Sequence, residues 1–230
     1  MSNFSFGALA NTSFTSNTTN YLKPYDIYKV VLSKIEKTSI QGKKDPTANY
    51  DLVSLEFTGV GENKGVFSTN LFVPNKDSDF ERTANPNTGK TSPSSFERFQ
   101  FTLMQIVEAI NPEGAQKIKD NAGKLKTIDD FIGLVIKALN GKKTEVYLKL
   151  VGRNNEGKTY SALPTSCWIN QDGNPQPLNF INAKEDALNF SNYELTQMKA
   201  YQNAKPTNMD KVENNPDKAD NDIDIDDIEL

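Results

Sequence analysis

The chain has 230 residues, one cysteine and no histidine, and its formal net charge is -4. This composition excludes an internal disulfide, the common zinc sites and every catalytic site that depends on histidine. A hydrophobic fraction of 36% and a mean hydropathy of -0.61 are low for a globule of this length, so part of the chain is expected outside the core.

The charge is unevenly distributed. Residues 206–230 carry nine acidic and two basic side chains, a balance of -7, so the other 205 residues carry about +3. This pattern is typical of a mildly basic body joined to an acidic tail. No apolar stretch approaches the ~20 residues of a membrane span, and the first residues lack the pattern of a signal peptide. We therefore expect a cytoplasmic protein.

Strand signals follow a polar N-terminal arm. Residues 1–22 are rich in Asn, Ser and Thr and predict a flexible arm with apolar anchors. Alternating apolar residues then predict strands over residues 25–37, 50–59 and 65–74. The loop between the first two strands carries Lys43 and Lys44, and a short hairpin loop joins the second to the third.

Three helices are predicted from their start signals. Ser94 with Glu97 forms a capping box, and this helix is expected to end at Asn111 and Pro112. Thr127 with Asp130 begins a second helix that ends at residues 140–141, and Ser191 with Glu194 begins a third. The apolar stripes of the first two helices predict core packing.

Two segments match the phosphate-binding pattern G-x-x-x-x-G-K-[ST] fully or loosely: "GRNNEGKT" at residues 152–159 and "ANPNTGKT" at residues 84–91. A Walker A loop must leave a buried strand and open a helix. The first match follows a good strand at residues 144–151 but precedes an extended segment, which predicts a hairpin with Asn154 and Asn155 at the tight positions. Polar residues precede the second match, so nucleotide hydrolysis is the weakest hypothesis.

The element order predicts a mixed α+β fold, mainly β with helices: an OB-fold-like five-stranded barrel with its helices between the third and fourth strands. We assign this domain to residues 23–182, with the helical insert at 94–140, a C-terminal helix within 183–205 and a disordered acidic tail at 206–230. The binding surface of such a barrel is formed by strands 2 and 3 and by the loops joining strands 1 to 2 and 4 to 5.

Cations interleaved with aromatic residues along these elements predict binding of single-stranded nucleic acid, in which cations contact phosphates and rings stack on bases. Tyr50, Tyr147 and Tyr160 are the favoured stacking residues. Phe72 and Trp168 could equally fill the barrel. The candidate nucleic-acid-binding residues are Lys34, Lys37, Lys43, Lys44, Tyr50, Phe67, Tyr147, Lys149, Arg153, Lys158, Tyr160 and Trp168.

The last nine residues alternate acidic and isoleucine side chains. Calcium binding of the EF-hand type is disfavoured because the required glycine is missing. A segment that folds onto partner proteins explains the isoleucines, whereas a solubilising tail is the alternative. The candidate partner-binding residues are Asp222, Ile223, Asp224, Ile225, Asp226, Asp227, Ile228, Glu229 and Leu230.

A β domain with this strand order, a linker rich in Asn, Pro and Lys, and the tail "DNDIDIDDIEL" resembles the single-stranded-DNA-binding proteins of bacteria and especially of bacteriophages. The resemblance implies a protein that coats single-stranded DNA in replication or recombination, without catalysis or a cofactor. It also implies a tail that recruits replication and recombination proteins and folds back on the DNA groove when DNA is absent. A phage-encoded protein would act in the host cytoplasm, and homo-oligomer formation is compatible with the sequence.

The alternative function, from a different class, is a virion structural or packaged accessory protein. The Asn-, Ser- and Thr-rich N-terminal arm motivates this hypothesis. It would explain the β content without nucleic acid.

Overall fold

The computed structural model describes residues 20–42, 45–84, 86, 89, 91–165, 169–170 and 188–204. Lys43, Lys44, Trp168, the acidic tail and most of the predicted N-terminal arm therefore lie outside the described residues. None of the helices in the described ranges is long and apolar enough to cross a membrane.

The described residues form a mixed α+β fold, as predicted. Helices are α1 (Ser95–Ile110), α2 (Pro112–Asp120), α3 (Ile128–Leu139) and α4 (Asn192–Asn203). Short 3₁₀ helices span Asp77–Phe80 and Ala122–Lys124. The strands are β1 (Asp26–Gln41), β2 (Asn49–Gly59), β3 (Val66–Phe72), β4 (Thr83–Ala84), β5 (Thr91–Ser92), β6 (Glu145–Asn155), β7 (Lys158–Ala162) and β8 (Ile169–Asn170).

The main sheet is antiparallel and has the order β3-β2-β1-β6-β7, with β8 paired to β6 as well. β6 returns to lie beside β1 after the connection that holds the first three helices, which is the 4-1-2-3 order of a Greek key. The predicted placement of helices between the third and fourth long strands is therefore confirmed. β1 extends four residues beyond its predicted end at residue 37.

Helix α2 was missed because Pro112 was interpreted as a stop signal. Pro112 instead occupies the first turn of α2, where a proline has no hydrogen bond to lose. The Asn111 side chain caps this helix by accepting from the backbone N–H of Gly114 at 3.0 Å. One Asn-Pro pair thus ends α1 and begins α2.

Closure of the sheet into a barrel is not confirmed. Within the described ranges, no backbone ladder joins β3 to β7. Residues 20–22 lie between these edges instead: the N–H of Leu22 donates to the Val66 carbonyl at 3.0 Å, and the Ser161 hydroxyl donates to the Leu22 carbonyl at 2.6 Å. A short segment and one side chain therefore bridge the gap at this end.

The core lies between the inner face of the sheet and the helices of the insert. The apolar stripes of α1 and α3 are buried in it, as their periodicity predicts. Fully buried side chains of the sheet include Val30, Val53, Phe57, Val146, Leu148 and Leu150.

Capping boxes begin α1, α3 and α4 at the predicted residues. At α1, the buried Ser94 hydroxyl accepts from the N–H of Glu97 at 3.1 Å, and the Glu97 carboxylate accepts from the N–H of Ser94 at 2.9 Å. These bonds satisfy backbone donors that have no partner within the helix.

We expect Ser94→Ala to lower the free energy of unfolding by about 1 kcal/mol, because the N–H of Glu97 loses its acceptor. Ser95→Ala is the matched control, since Ser95 is exposed and one residue further into the helix. Urea denaturation of both variants measures the difference. Equal midpoints would contradict a stabilising role for the cap.

Candidate nucleic-acid interface

The hairpin of β6 and β7 is built around a two-residue turn. Asn155 pairs with Lys158, and the intervening Glu156 and Gly157 have φ values of 47° and 77°. Two left-handed residues are the requirement of a tight hairpin turn, and glycine meets it without strain. The predicted hairpin is confirmed, but the prediction of Asn154 and Asn155 at the tight positions was wrong by two residues.

Neither match to the phosphate-binding pattern has the context of a P-loop. Thr159 lies within strand β7 rather than at the start of a helix. The second match begins at Ala84 in β4, a two-residue strand whose residues are both exposed, and ends at Thr91 in β5. Among the described residues, therefore, the first match does not lead into a helix and the second does not follow a buried strand, although a P-loop requires both.

One face of the hairpin combines cations with an aromatic ring. Arg153 lies directly opposite Tyr160, and Lys158 lies two residues before Tyr160 on the same strand. Cross-strand partners and residues two apart share a face, so the three side chains are neighbours. Arg153 and Lys158 are exposed, and neither forms an ion pair with a described residue. We refer to Arg153, Lys158 and Tyr160 together as the hairpin face.

The hairpin face continues along the outer face of β6. Val146, Leu148 and Leu150 enter the core, so the alternate residues Tyr147, Lys149, Val151 and Arg153 are directed away from it. Tyr147 is half-buried and lies opposite Lys29 of β1, whose ammonium group forms an ion pair with Glu145.

Two predicted cations are already paired with carboxylates. The Lys34 ammonium lies 2.7 Å from Glu36, and the Lys37 ammonium lies 2.8 Å from both Asp51 and Asp129. The hydrogen bond to Asp129, followed by the one to Asp51, raises the pKa of Lys37. A phosphate would have to compete with these carboxylates, so both lysines offer less to nucleic acid than Arg153 and Lys158 do.

Two predicted contact residues are inaccessible in this conformation. Phe67 is 4% exposed, and its ring stacks on Phe57 with centroids 6.3 Å apart. It therefore belongs to the core and is not part of the candidate interface. Lys149 is 2% exposed and is covered by residues 189–194. Strand periodicity placed Lys149 on the outer face correctly, but it contains no information about a helix that later covers that face.

Tyr50 lies at the base of the loop between β1 and β2. Its half-buried ring meets Phe72 edge-on, with centroids 6.3 Å apart, and Phe72 is exposed at the end of β3. Lys43 and Lys44 of the same loop lie outside the described residues, as do Trp168 and the tail residues 222–230.

Tyr25 was missed by the sequence reasoning. It has a positive φ of 63°, and its ring contacts the backbone of Gly152 and the ring of Tyr201, whose centroid is 5.6 Å away. Burial raises the pKa of the Tyr25 hydroxyl. No local pattern could reveal this contact, because residues 25 and 152 meet only in the folded sheet.

The contact explains the first glycine of the "GRNNEGKT" segment. A Cβ atom on Gly152 would lie 2.5 Å from Cε2 of Tyr25 and 2.6 Å from its hydroxyl oxygen. These distances are shorter than van der Waals contact. Glycine at position 152 therefore makes room for an aromatic ring.

We expect Gly152→Ala to lower the free energy of unfolding by about 1–3 kcal/mol, because the ring of Tyr25 must move. Gly133→Ala in α3 is the control: outside the backbone of its own helix and its two chain neighbours, no atom of the structure lies within 4 Å of the added Cβ, and replacing a helical glycine stabilises by about 0.5–1 kcal/mol. Thermal denaturation of the two variants should show shifts of opposite sign. A neutral Gly152→Ala variant would refute the packing explanation.

The chain matches no protein-family model, and it has no significant similarity to any curated protein. The functional inference therefore rests on the residues and geometry of the chain itself.

Proposed function

We propose that the protein is a non-catalytic, single-stranded-DNA-binding protein that coats DNA during replication or recombination in the cytoplasm. The observation that carries this proposal is the hairpin face, in which exposed Arg153 and Lys158 flank Tyr160 without carboxylate partners among the described residues. Cations of this kind attract phosphates by releasing counterions, and the accessible part of a half-buried ring such as that of Tyr160 can stack on bases of any sequence.

We further propose that the body is an OB-fold-like barrel. A first strand that pairs with both the second and the fourth long strands, with helices between the third and fourth, supports an OB-fold-like arrangement. In that arrangement the β6–β7 turn is one of the two binding loops. The other is the β1–β2 loop, beside the aromatic pair of Tyr50 and Phe72.

The acidic tail is the proposed site for partner proteins. Its charge would direct it to a cationic surface, and its isoleucines and terminal leucine would enter an apolar pocket of a replication or recombination protein. In the absence of DNA, the same tail would compete for the cations of the body.

Replacing both Arg153 and Lys158 with alanine should weaken binding to oligo-dT by about three- to tenfold at low salt. It should also reduce the slope of log affinity against log salt by about 1.4, because each phosphate contact on a single strand contributes about 0.7. Fluorescence anisotropy at several salt concentrations measures both quantities.

The control is the double variant Lys117→Ala with Lys124→Ala, which removes the same charge from exposed positions outside the hairpin. Equal losses in the two double variants would indicate a general charge effect and contradict the assignment to the hairpin. An ATPase activity that Lys158→Ala abolishes would contradict the non-catalytic proposal.

Deletion of residues 221–230 should tighten binding to oligo-dT, most strongly at low salt, where charge is least screened. The reason is that a flexibly linked competitor acts at an effective concentration on the order of millimolar. Paired titrations of the full-length and truncated proteins at two salt concentrations measure the effect.

The variant Ile228→Ala with Leu230→Ala keeps the tail charge and serves as the control. It should lose binding of partner proteins and retain the DNA affinity of the full-length protein. Identical low-salt curves for full-length and truncated proteins would indicate a tail that only promotes solubility.

A further inference from the structure

Helix α4 is attached to the body without a buried apolar face. None of its residues is buried, and Tyr193 is 73% exposed. Most helices of globular proteins are held by packing of an apolar stripe. Other contacts must therefore hold α4 in place.

The main contact is a buried ion pair with the sheet. The Lys149 ammonium donates to the Asn189 carbonyl at 3.2 Å and lies 3.3 Å from each carboxylate oxygen of Glu194. The Lys149 ammonium also lies over the ring of Phe190, 5.6 Å from the ring centroid. Lys149 is 2% exposed and the Glu194 side chain 17%, so the pair is largely removed from water. At the other end of α4, Tyr201 contacts Tyr25.

The ion pair lies within the proposed binding surface. Lys149 stands between Tyr147 and Arg153 on the outer face of β6, and Arg153 belongs to the hairpin face. The carboxylate of Glu194 presents two anionic oxygens to Lys149, as a phosphate would. The start of α4 therefore covers the cation in the middle of the outer row Tyr147, Lys149, Val151 and Arg153.

We propose that α4 is a displaceable cover, and that a phosphate of single-stranded DNA replaces Glu194 at Lys149 when α4 leaves the sheet. The inference rests on the proposed function and extends it to the regulation of the same surface. Displacement unpacks no fully buried residue of α4 itself, and it can leave in place the buried Leu188, which precedes the helix and is 1% exposed. The charge of Lys149 is compensated in both states, which avoids the high cost of an unpaired buried cation.

Glu194→Gln tests the cover while preserving the helix. Glutamine at this position still completes the capping box with Ser191, whereas the charge that holds Lys149 is lost. The matched control is Glu113→Gln, which removes one exposed carboxylate from the first turn of α2. We expect Glu194→Gln to bind oligo-dT about five- to tenfold more tightly than this control, because glutamine can replace the charge-assisted hydrogen bond to Lys149 only by a weaker neutral one.

The gain should depend on Lys149. In a Lys149→Met background, Glu194→Gln and Glu113→Gln should bind oligo-dT equally. Amide exchange of the wild-type protein gives a second readout that needs no variant: the amides of α4 should exchange faster in the oligo-dT complex, while those of β1 and β2 should not.

The outcomes separate the two proposals. If the wild-type protein binds oligo-dT with the expected salt dependence, but Glu194→Gln equals its control and α4 exchange is unchanged or slower, α4 is a permanent part of the body and the cover is refuted alone. If neither the wild-type protein nor Glu194→Gln binds oligo-dT, both proposals are refuted. Faster exchange of α4 in the complex supports the cover even if the variants are unstable.

Discussion

Strand β1 is the element on which the rest of the structure depends, because it pairs with β2 on one side and β6 on the other. Its pairing with β6 brings the hairpin, α4 and the insert helices onto a sheet that begins far earlier in the chain. A β-bulge at Ser33 shifts the register between Leu32 and Lys34, and the Ser33 hydroxyl donates to the Glu56 carbonyl at 3.0 Å. An extra residue of this kind reverses which side chains are directed into the core.

The bulge determines where the cations of β1 lie. Before it, Leu32 is opposite Phe57 on the inner face; after it, Ile35 is opposite Leu55 and Lys37 is opposite Val53. Lys37 thus continues the inner face and reaches Asp129 at the start of α3, at 2.8 Å. This lysine therefore contacts a helix of the insert, although the sequence around it does not distinguish it from an unpaired surface cation.

Carboxylates divide the cations of the body into two groups. Lys29, Lys34 and Lys37 each have an acidic partner, which reduces the local positive potential although such exposed pairs contribute little to stability. Arg153 and Lys158 have no such partner among the described residues. The end of the β6–β7 hairpin therefore presents a net positive charge to a ligand, two cations against the exposed Glu156 of the turn, next to the ring of Tyr160. The same strand carries Lys149, whose charge is directed to α4 instead.

Local chemistry determined much of this protein from the sequence by itself. Hydrogen bonds between residues three apart specify the starts of α1, α3 and α4, and alternation specifies the long strands, since both signals act within a few residues. Tertiary structure decided the rest. The burial of Lys149 under α4, the contact of Tyr25 with Gly152 and the bridge that Leu22 forms from Val66 to Ser161 all join residues far apart in the chain. Whether an outer-face side chain meets solvent or a later helix depends on packing across the whole domain, and no local pattern encodes that.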